Sequence, residues 1–275
     1  MSERLPARIT RRNATFQQWQ ALLGSRTKRH RRGEMIVQGV RPITRALASG
    51  IDVRAVLVED RPRRSDWARE ILAAPPGPVV ELSAELMAEL GEREEGSPEL
   101  LLVAALPGDD LARLDTVPAD GLVLVFDRPS TPGNIGSLAR TADALGADAL
   151  VLTGHSADAW DPASIRASTG SMFALPVLRL PSHRELLDWV EARRAAGRPW
   201  QVIGLDEARG RTLADTDLTG PRVLVIGTET SGLSAGWRES CDAFAEIPMG
   251  GTASSLNAAV AGSIALYERD RQRRV

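Results

Sequence analysis

Hydrophobic positions in the second half of the chain form short continuous runs, each followed by a stretch with helical spacing. The run "LVLVFD" (122–127) is typical of a strand buried on both faces of a parallel sheet. In "NIGSLARTADALG" (134–146) apolar residues recur every three or four positions, with Asn134 as the expected N-cap and Gly146 as the stop. Repetition of this pair predicts an α/β fold with a parallel, helix-covered sheet.

The same alternation continues on both sides of these two segments. Further strands are predicted in "ADALVLTG", "WQVIGLD", "RVLVIGT" and "AFAEIPM", and helices in "HRELLDWVEARRAAG" and the closing "SLNAAVAGSIALYERDRQRR". The first half reads as a smaller α/β unit with strands in "GEMIVQG", "VRAVLVED", "GPVVEL" and "ELLLVAAL". Clusters of Pro, Gly and Asp favour a linker between this smaller unit and the larger unit that follows it. The predicted organisation is a basic N-terminal arm at 1–33, a small domain at 34–106, a linker at 107–121 and a larger domain at 122–275.

Charge is distributed unevenly along the chain. The net charge is −2, but residues 1–45 hold eleven basic and two acidic side chains, hence +9, which leaves −11 for the rest. A basic segment on an acidic body favours a polyanionic partner, although a solvated terminus would have the same composition. Lys28 is the only lysine, and arginine suits phosphate contact. The candidate RNA-binding residues are Arg26, Lys28, Arg29, Arg31, Arg32 and Arg41. Trp19 either stacks on RNA or packs against the first domain.

Several classes of protein are disfavoured by what the sequence lacks. There is no apolar run of membrane-spanning length and no secretory signal, and the single cysteine, Cys241, allows no intrachain disulfide. A cytoplasmic location is therefore expected. The three histidines are scattered, so no metal site is expected. The glycine fingerprint of dinucleotide-binding folds is absent, which disfavours an oxidoreductase, and so is a P-loop.

Three segments rich in small residues follow predicted strands, where ligands bind in sheets of this kind. They are "DRPSTPGNIGSLAR" (127–140), "GTETSGLS" (227–234) and "PMGGTASSLN" (248–257). In this order they resemble the three motifs of the SpoU/TrmH branch of the SPOUT RNA methyltransferases. The resemblance covers residues 120–270 strongly. Residues 34–106 resemble the substrate-binding domain, similar to a ribosomal protein, that often precedes it. "RNATFQQWQALLGSRTKRHRRGE" and "VQGVRPI" extend the likeness to members that methylate a uridine of 23S ribosomal RNA.

The resemblance implies a C-terminal trefoil knot and a cofactor, S-adenosylmethionine. By the family pattern Gly227, Ile247 and Leu256 contact this cofactor, with Thr228 and Met249 close by, and Gly154 is taken as a further contact. Close crossing of loops requires small side chains, which Gly250, Gly251, Ala253, Ser254 and Ser255 supply. A knot would be an exception to the rule that chains do not thread loops.

The resemblance also assigns catalytic residues. It places Arg140 beside the ribose 2′-hydroxyl and the adjacent phosphate. Because arginine titrates too high to be an easy base, we favour electrostatic stabilisation and phosphate anchoring. Asn134 shapes the site, and Glu229 either shapes the cofactor loop or holds Arg140. Ser255 and Asn257 cap the closing helix or hydrogen-bond near the target ribose.

The family forms homodimers whose active site draws on both subunits, so a homodimer is expected here. The function implied is RNA 2′-O-ribose methylation, most simply of a uridine in 23S ribosomal RNA. A transfer RNA methyltransferase and a non-catalytic RNA-binding or ribosome-assembly protein on the same fold stay as alternatives. Whether the methylation serves antibiotic resistance or housekeeping is left open by the residues.

Overall fold

The structure is a computed structural model that describes residues 7–91, 96–206 and 210–274. The strands are β1 Arg8–Ile9, β2 Glu34–Gln38, β3 Val53–Glu59, β4 Val79–Leu82, β5 Leu100–Ala105, β6 Leu122–Asp127, β7 Ala149–Thr153, β8 Val177–Leu180, β9 Gln201–Leu205, β10 Arg211–Thr212, β11 Arg222–Ile226 and β12 Ala243–Glu246. The helices are α1 Ala14–Gly24, α2 Arg26–Arg32, α3 Val40–Ala48, α4 Asp66–Ala73, α5 Ala84–Gly91, α6 Pro132–Ala144, α7 Pro162–Ser168, α8 His183–Ala195, α9 Ala235–Ser240 and α10 Ala258–Arg273.

Two compact units divide the chain, with a boundary after Pro107. The first contains Met1–Pro107 together with Trp160–Gly170, and the second contains Gly108–Ala159 and Ser171–Val275. This division joins the predicted arm at 1–33 to the predicted small domain, and it places 160–170, which includes α7, in the first unit. The expected linker also has structure of its own, a short 3-10 helix at Leu111–Thr116 in the second unit. No helix in the described ranges combines the length and apolar character needed to cross a membrane.

The first unit is built on a five-stranded mixed sheet in the order β1-β4-β3-β5-β2. β5 runs antiparallel to both β2 and β3, whereas β3 and β4 are parallel. Ser65 caps α4 by accepting a hydrogen bond from the Ala68 amide. The described part of the basic arm at 1–33 contains β1, α1 and α2, so the alternative of a solvated terminus does not describe it. α1 buries Phe16 and Trp19 in the core, so Trp19 packs rather than facing RNA.

The second unit is built on a seven-stranded parallel sheet in the order β10-β12-β9-β11-β6-β7-β8. The central strands β6, β7 and β11 are buried along their whole length, which confirms the interpretation of their apolar runs. Because the strands are parallel, the segments after β6, β9, β11 and β12 all leave from one edge of the sheet. This α/β arrangement is the predicted fold class. The trefoil knot stays a prediction.

Candidate functional site

A hydrogen-bonded cluster joins the three small-residue segments at the carboxyl edge of the seven-stranded sheet. Glu229 Oε1 accepts hydrogen bonds from Asn134 Nδ2 at 2.8 Å and from Asn257 Nδ2 at 3.1 Å. The backbone amide of Ala258 donates to the same oxygen at 3.3 Å. One carboxylate oxygen therefore links the start of α6, the segment after β11 and the first turn of α10.

The start of α10 explains why an acid is stable in this cluster. Free amides and the helix dipole make a helix N-terminus favourable for negative charge. Asn257 caps the helix, since its Oδ1 accepts from Ala259 N at 3.0 Å and Val260 N at 3.2 Å. Asn257 Nδ2 also lies 3.3 Å from Asn134 Oδ1. Asn257 thus both caps α10 and takes part in the cluster. Ser255 lies two residues before the cap position and does not cap the helix.

Asn134 has a different local role from the one its sequence position suggests. The expected N-cap is wrong, because α6 begins at Pro132 after the cap residue Thr131, and Asn134 lies inside the first turn. Proline is favoured at the first helical position, where its missing amide hydrogen costs nothing. Asn134 is consequently free of capping, and its side chain bonds Glu229 instead. The predicted stop is confirmed, since Gly146 follows the end of α6 with a φ of 72°.

A cavity of about 310 Å³ lies beside this cluster. Its walls come from the ends of β9, β11 and β12 and from the start of α10, and its lining includes Leu205, Asp206, Ile226, Gly227, Thr228, Glu229, Ser231, Arg238, Ala245, Ile247, Met249, Ser255 and Leu256. This volume is in the range of small-molecule sites, which run from about 300 to 1,000 Å³. Five predicted cofactor residues, Gly227, Thr228, Ile247, Met249 and Leu256, line it together.

The lining fits a nucleoside methyl donor. The side chains of Ile226, Ile247 and Leu256 provide an apolar surface on which a purine ring can pack. The segment after β11 provides main-chain groups and hydroxyls for hydrogen bonds. Gly227 is required by close packing, because a Cβ there would lie 2.2 Å from the carbonyl carbon of Gly232. The backbone of this turn therefore folds against Gly227 and borders the cavity directly.

Gly154, predicted as a cofactor contact, does not line this cavity. It follows β7 with a φ of 68°, and a Cβ there would lie 2.9 Å from Cγ of Arg128. Arg128 itself has a φ of 52°, which is unusual for a residue with a side chain. Gly154 thus makes room for Arg128, and its contribution to the cavity is indirect.

Buried polar residues that the sequence analysis missed support the turn after β11. Asp127, only 2% exposed, accepts hydrogen bonds from Ser234 N at 2.7 Å and from Thr153 Oγ1 at 3.1 Å. It also pairs with Arg128, whose Nη2 donates to the Gly232 carbonyl at 2.9 Å. A buried carboxylate is stable only when it is paired and hydrogen-bonded. The available signal was the lone acidic residue closing the apolar run of β6.

Arg140 lies exposed on α6 and makes no hydrogen bond or ion pair with any residue that the structure describes. Glu229 bonds Asn134, Asn257 and Ala258 instead, so the suggestion that Glu229 holds Arg140 has no contact behind it within the described ranges. The neighbouring Thr141 accepts a hydrogen bond from Ser263 Oγ at 3.0 Å, which joins α6 to α10. α10 presents an exposed apolar stripe of Val260, Ile264 and Tyr267.

Five of the six candidate RNA-binding residues lie on the surface of the first unit. Arg26, Lys28, Arg31 and Arg32 are exposed on α2, and Arg41 is exposed on α3. The expectation for Arg29 is wrong, because its side chain is 1% exposed. Its guanidinium donates to the Leu22 and Leu23 carbonyls and to Asp161 Oδ2 at 2.6, 2.9 and 2.9 Å. Arg29 therefore fixes α2 in place instead of meeting a ligand.

Two family models match the chain. Residues 13–102 match the SpoU L30e-like domain, and residues 121–267 match the SpoU rRNA Methylase family. A 23S rRNA (uridine(2479)-2′-O)-methyltransferase from Streptomyces viridochromogenes is 53% identical over 98% of this chain and 95% of its own length.

Solved structures are similar over nearly the whole chain. The SpoU methyltransferase AviRb from Streptomyces viridochromogenes, in complex with AdoMet, has a TM-score of 0.88 and 50% identity and covers 95% of this chain and 99% of its own. An AdoMet-bound rRNA methyltransferase from Sinorhizobium meliloti has a TM-score of 0.82 at 26% identity and covers 97% of this chain and 99% of its own.

Proposed function

Because the chain belongs to the SpoU rRNA Methylase family, we propose that it methylates a ribose 2′-hydroxyl of RNA, with S-adenosylmethionine as methyl donor and a uridine of 23S ribosomal RNA as target. One observation carries the proposal: Asn134, Glu229 and Asn257, from three separate motifs, meet at a cavity with glycine-backed walls. The target follows from the relative that shares 53% of its residues.

The cavity residues bind and orient the donor, which when bound supplies a methyl group already activated by its sulfonium. Gly227, Thr228, Ile247, Met249 and Leu256 hold its nucleoside part. The backbone after β11 is kept in shape by Asp127 and by the Glu229 cluster, so the donor meets a fixed surface. Positioning of this kind contributes up to about 7–11 kcal/mol to a reaction between two bound partners.

Arg140 acts on the RNA side of the reaction. Its guanidinium is exposed and has no partner among the described residues, so it is available to a phosphate and to the 2′-oxygen. When the 2′-oxygen takes the methyl group, its proton would pass to solvent water and the donor would leave as S-adenosylhomocysteine. The fixed positive charge of Arg140 would lower the energy of the anion that develops on the oxygen. Ser255, which lines the cavity, and Asn257 hydrogen-bond near the target ribose. The exposed cations of α2 and Arg41 contact the RNA backbone.

The active form in this proposal is a homodimer with two-fold symmetry. Val260, Ile264 and Tyr267, with Tyr267 60% exposed, form an apolar stripe that a second copy would cover. α10 packs on α6 through Ser263 and Thr141, and Arg140 precedes Thr141. A second copy docked on α10 would therefore bring its surface close to Arg140 and could complete the site there.

Site mapping of 2′-O-methyl groups tests the proposal. Unmodified 23S ribosomal RNA and transfer RNA are incubated separately with the protein and S-adenosylmethionine. We expect one new 2′-O-methyluridine in 23S RNA and none in transfer RNA. If only transfer RNA were modified, the proposed target would be wrong and transfer RNA would be the substrate. If neither RNA were methylated although the protein binds the cofactor, the non-catalytic alternative would be favoured.

A further inference from the structure

A charged pair that no motif includes lies at the cavity wall. Asp206 follows β9 directly, and its side chain is 10% exposed. Arg238, on α9, places Nε 3.6 Å from Asp206 Oδ2, and both residues line the cavity. Arg238 is more open, with 41% of its side chain exposed. The pair thus presents a carboxylate inside the cavity and keeps its counter-ion at the rim.

We propose that Asp206 accepts hydrogen bonds from the ribose diol of the methyl donor and that Arg238 is a positioning residue for Asp206 and for the turn at 228–232. The inference rests on the proposed function, because it assumes that this cavity holds the nucleoside of S-adenosylmethionine. It adds a specificity residue directly after β9, a strand whose carboxyl end contributes none of the predicted site residues.

The chemistry of the pair favours a neutral diol over the ammonium group of the same ligand. A carboxylate has two oxygens that match two adjacent hydroxyl donors, the arrangement by which acidic residues bind ribose in other parallel-sheet sites. An ammonium in the same place would approach a guanidinium that already lies 3.6 Å from the carboxylate, and like charges repel. The ammonium is therefore better placed elsewhere.

Arg238 also fixes a second part of the cavity lining, the turn at 228–232. Its Nη2 donates to the Ser231 carbonyl at 3.3 Å, while Arg128 Nη2 donates to the Gly232 carbonyl at 2.9 Å. Thr228 and Gly232 close the turn with two backbone hydrogen bonds, at 3.1 and 3.0 Å. Two arginines from different elements therefore fix consecutive carbonyls of a five-residue turn. Loss of Arg238 would free one side of this turn and also remove the guanidinium beside Asp206.

Binding of two nucleosides to Asp206→Asn tests the diol contact by calorimetry. S-adenosylhomocysteine carries the ribose diol and the amino-acid group, whereas 5′-methylthioadenosine carries only the diol. We expect Asp206→Asn to weaken both by the same factor, about tenfold, because a hydrogen bond to a charged group is lost in each. Asp188→Asn, an exposed aspartate on α8, is the matched control and should bind both normally.

Each other outcome has a definite meaning. If Asp206→Asn lost affinity only for S-adenosylhomocysteine, Asp206 would contact the ammonium group instead, and the diol assignment would be wrong. Normal binding of both ligands by Asp206→Asn would remove Asp206 from the site altogether. Failure of the unmutated protein to bind S-adenosylhomocysteine would instead contradict the proposed function itself, so the two failures are distinguishable.

The positioning role of Arg238 needs readouts beyond activity. Arg238→Met should speed hydrogen exchange of the amides in 228–232, weaken S-adenosylhomocysteine about fivefold, and raise the KM for S-adenosylmethionine more than it lowers kcat. Arg238→Lys should restore part of the affinity, and Arg198→Met, on an exposed arginine, should change none of these. A fall in kcat with unchanged KM, or unchanged exchange in the turn, would overturn this role.

Discussion

Asn134 and Glu229, 95 positions apart in the chain, are joined by a 2.8 Å hydrogen bond from the amide Nδ2 to the carboxylate Oε1. This bond connects the first turn of α6 to the turn after β11. With Asn257 as the third member, it makes the geometry of the site depend on a single carboxylate.

Two substitutions of Glu229 should distinguish the effect of losing the hydrogen-bond acceptor from the effect of losing the negative charge. Glu229→Ala removes the acceptor of three hydrogen bonds and should lower the free energy of unfolding by about 1–3 kcal/mol. Glu229→Gln keeps an acceptor oxygen and should cost less. Urea unfolding with calorimetry of S-adenosylhomocysteine binding measures both effects, and equal behaviour of the two variants would contradict the cluster's role.

Arg140→Ala should impair transfer without impairing donor binding. Removal of one preorganised group that stabilises developing charge typically costs about 10²–10³ in kcat. Because Arg140 does not line the cavity, S-adenosylhomocysteine affinity should stay within a few-fold. Single-turnover methylation of RNA gives the rate, with Arg198→Ala as the control. Near-normal turnover of Arg140→Ala would show that the assignment is wrong.

Charge introduced into the exposed stripe of α10 should separate the two subunits. Ile264→Glu combined with Tyr267→Glu would place two carboxylates where apolar contact is expected, so the sedimentation coefficient should fall to that of a monomer. Cofactor binding should weaken much less than activity. Arg198→Glu, which adds negative charge elsewhere, should leave the dimer intact; an unmutated protein that sediments as a monomer would contradict the dimer directly.

Arg29→Met should destabilise the first unit strongly. Asp161 would be left without its buried partner, and the Leu22 and Leu23 carbonyls would lose their donors, which together cost about 3 kcal/mol. Urea unfolding measures the change. Arg31→Met, on the exposed face of the same helix, should lower RNA affinity without this loss of stability. A fully stable Arg29→Met variant would contradict the anchoring role.

The thiol of Cys241 should make stability fall in alkaline solution. Burial is the main cause that raises the pKa of Cys241 from 9.0 to about 12, with Asp242 and Asp206 adding to it. The unfolded chain therefore loses this proton near pH 9 while the folded chain keeps it, so the unfolding free energy decreases as the pH rises from 9 towards 12. Cys241→Ala should lack this component in urea titrations, and identical pH profiles would refute it.

The second unit follows closely from its sequence because its signals are local. Apolar runs predict β6, β7 and β11, and the capping residue Asn257 marks the start of α10. The three motifs are also local, so their ligand-binding edge could be predicted before any coordinates. Pairing across the sheet is not local, and for this reason the Asp127 network and the Asp206–Arg238 pair were missed.

The N-terminal residues show where local signals fail. The high positive charge of α2 favours surface contact with a polyanion, yet Arg29 is buried. Its burial depends on Asp161, 132 positions away, and on the carbonyl end of α1, neither of which a sequence pattern indicates. The excursion of residues 160–170 into the first unit was missed for the same reason, since α7 is short and its partners lie far away along the chain.

The position of residues 160–170 in the first unit limits how the two units can be exchanged between related proteins. A chimera with its only junction after Pro107 would take residues 1–107 from one relative and α7 with Asp161 from the other. Arg29 would then pack against residues of a different protein. Functional chimeras between relatives should therefore need a second insert spanning 160–170. Recombination at a single crossover would join mismatched parts, so the first unit and residues 160–170 should be inherited together.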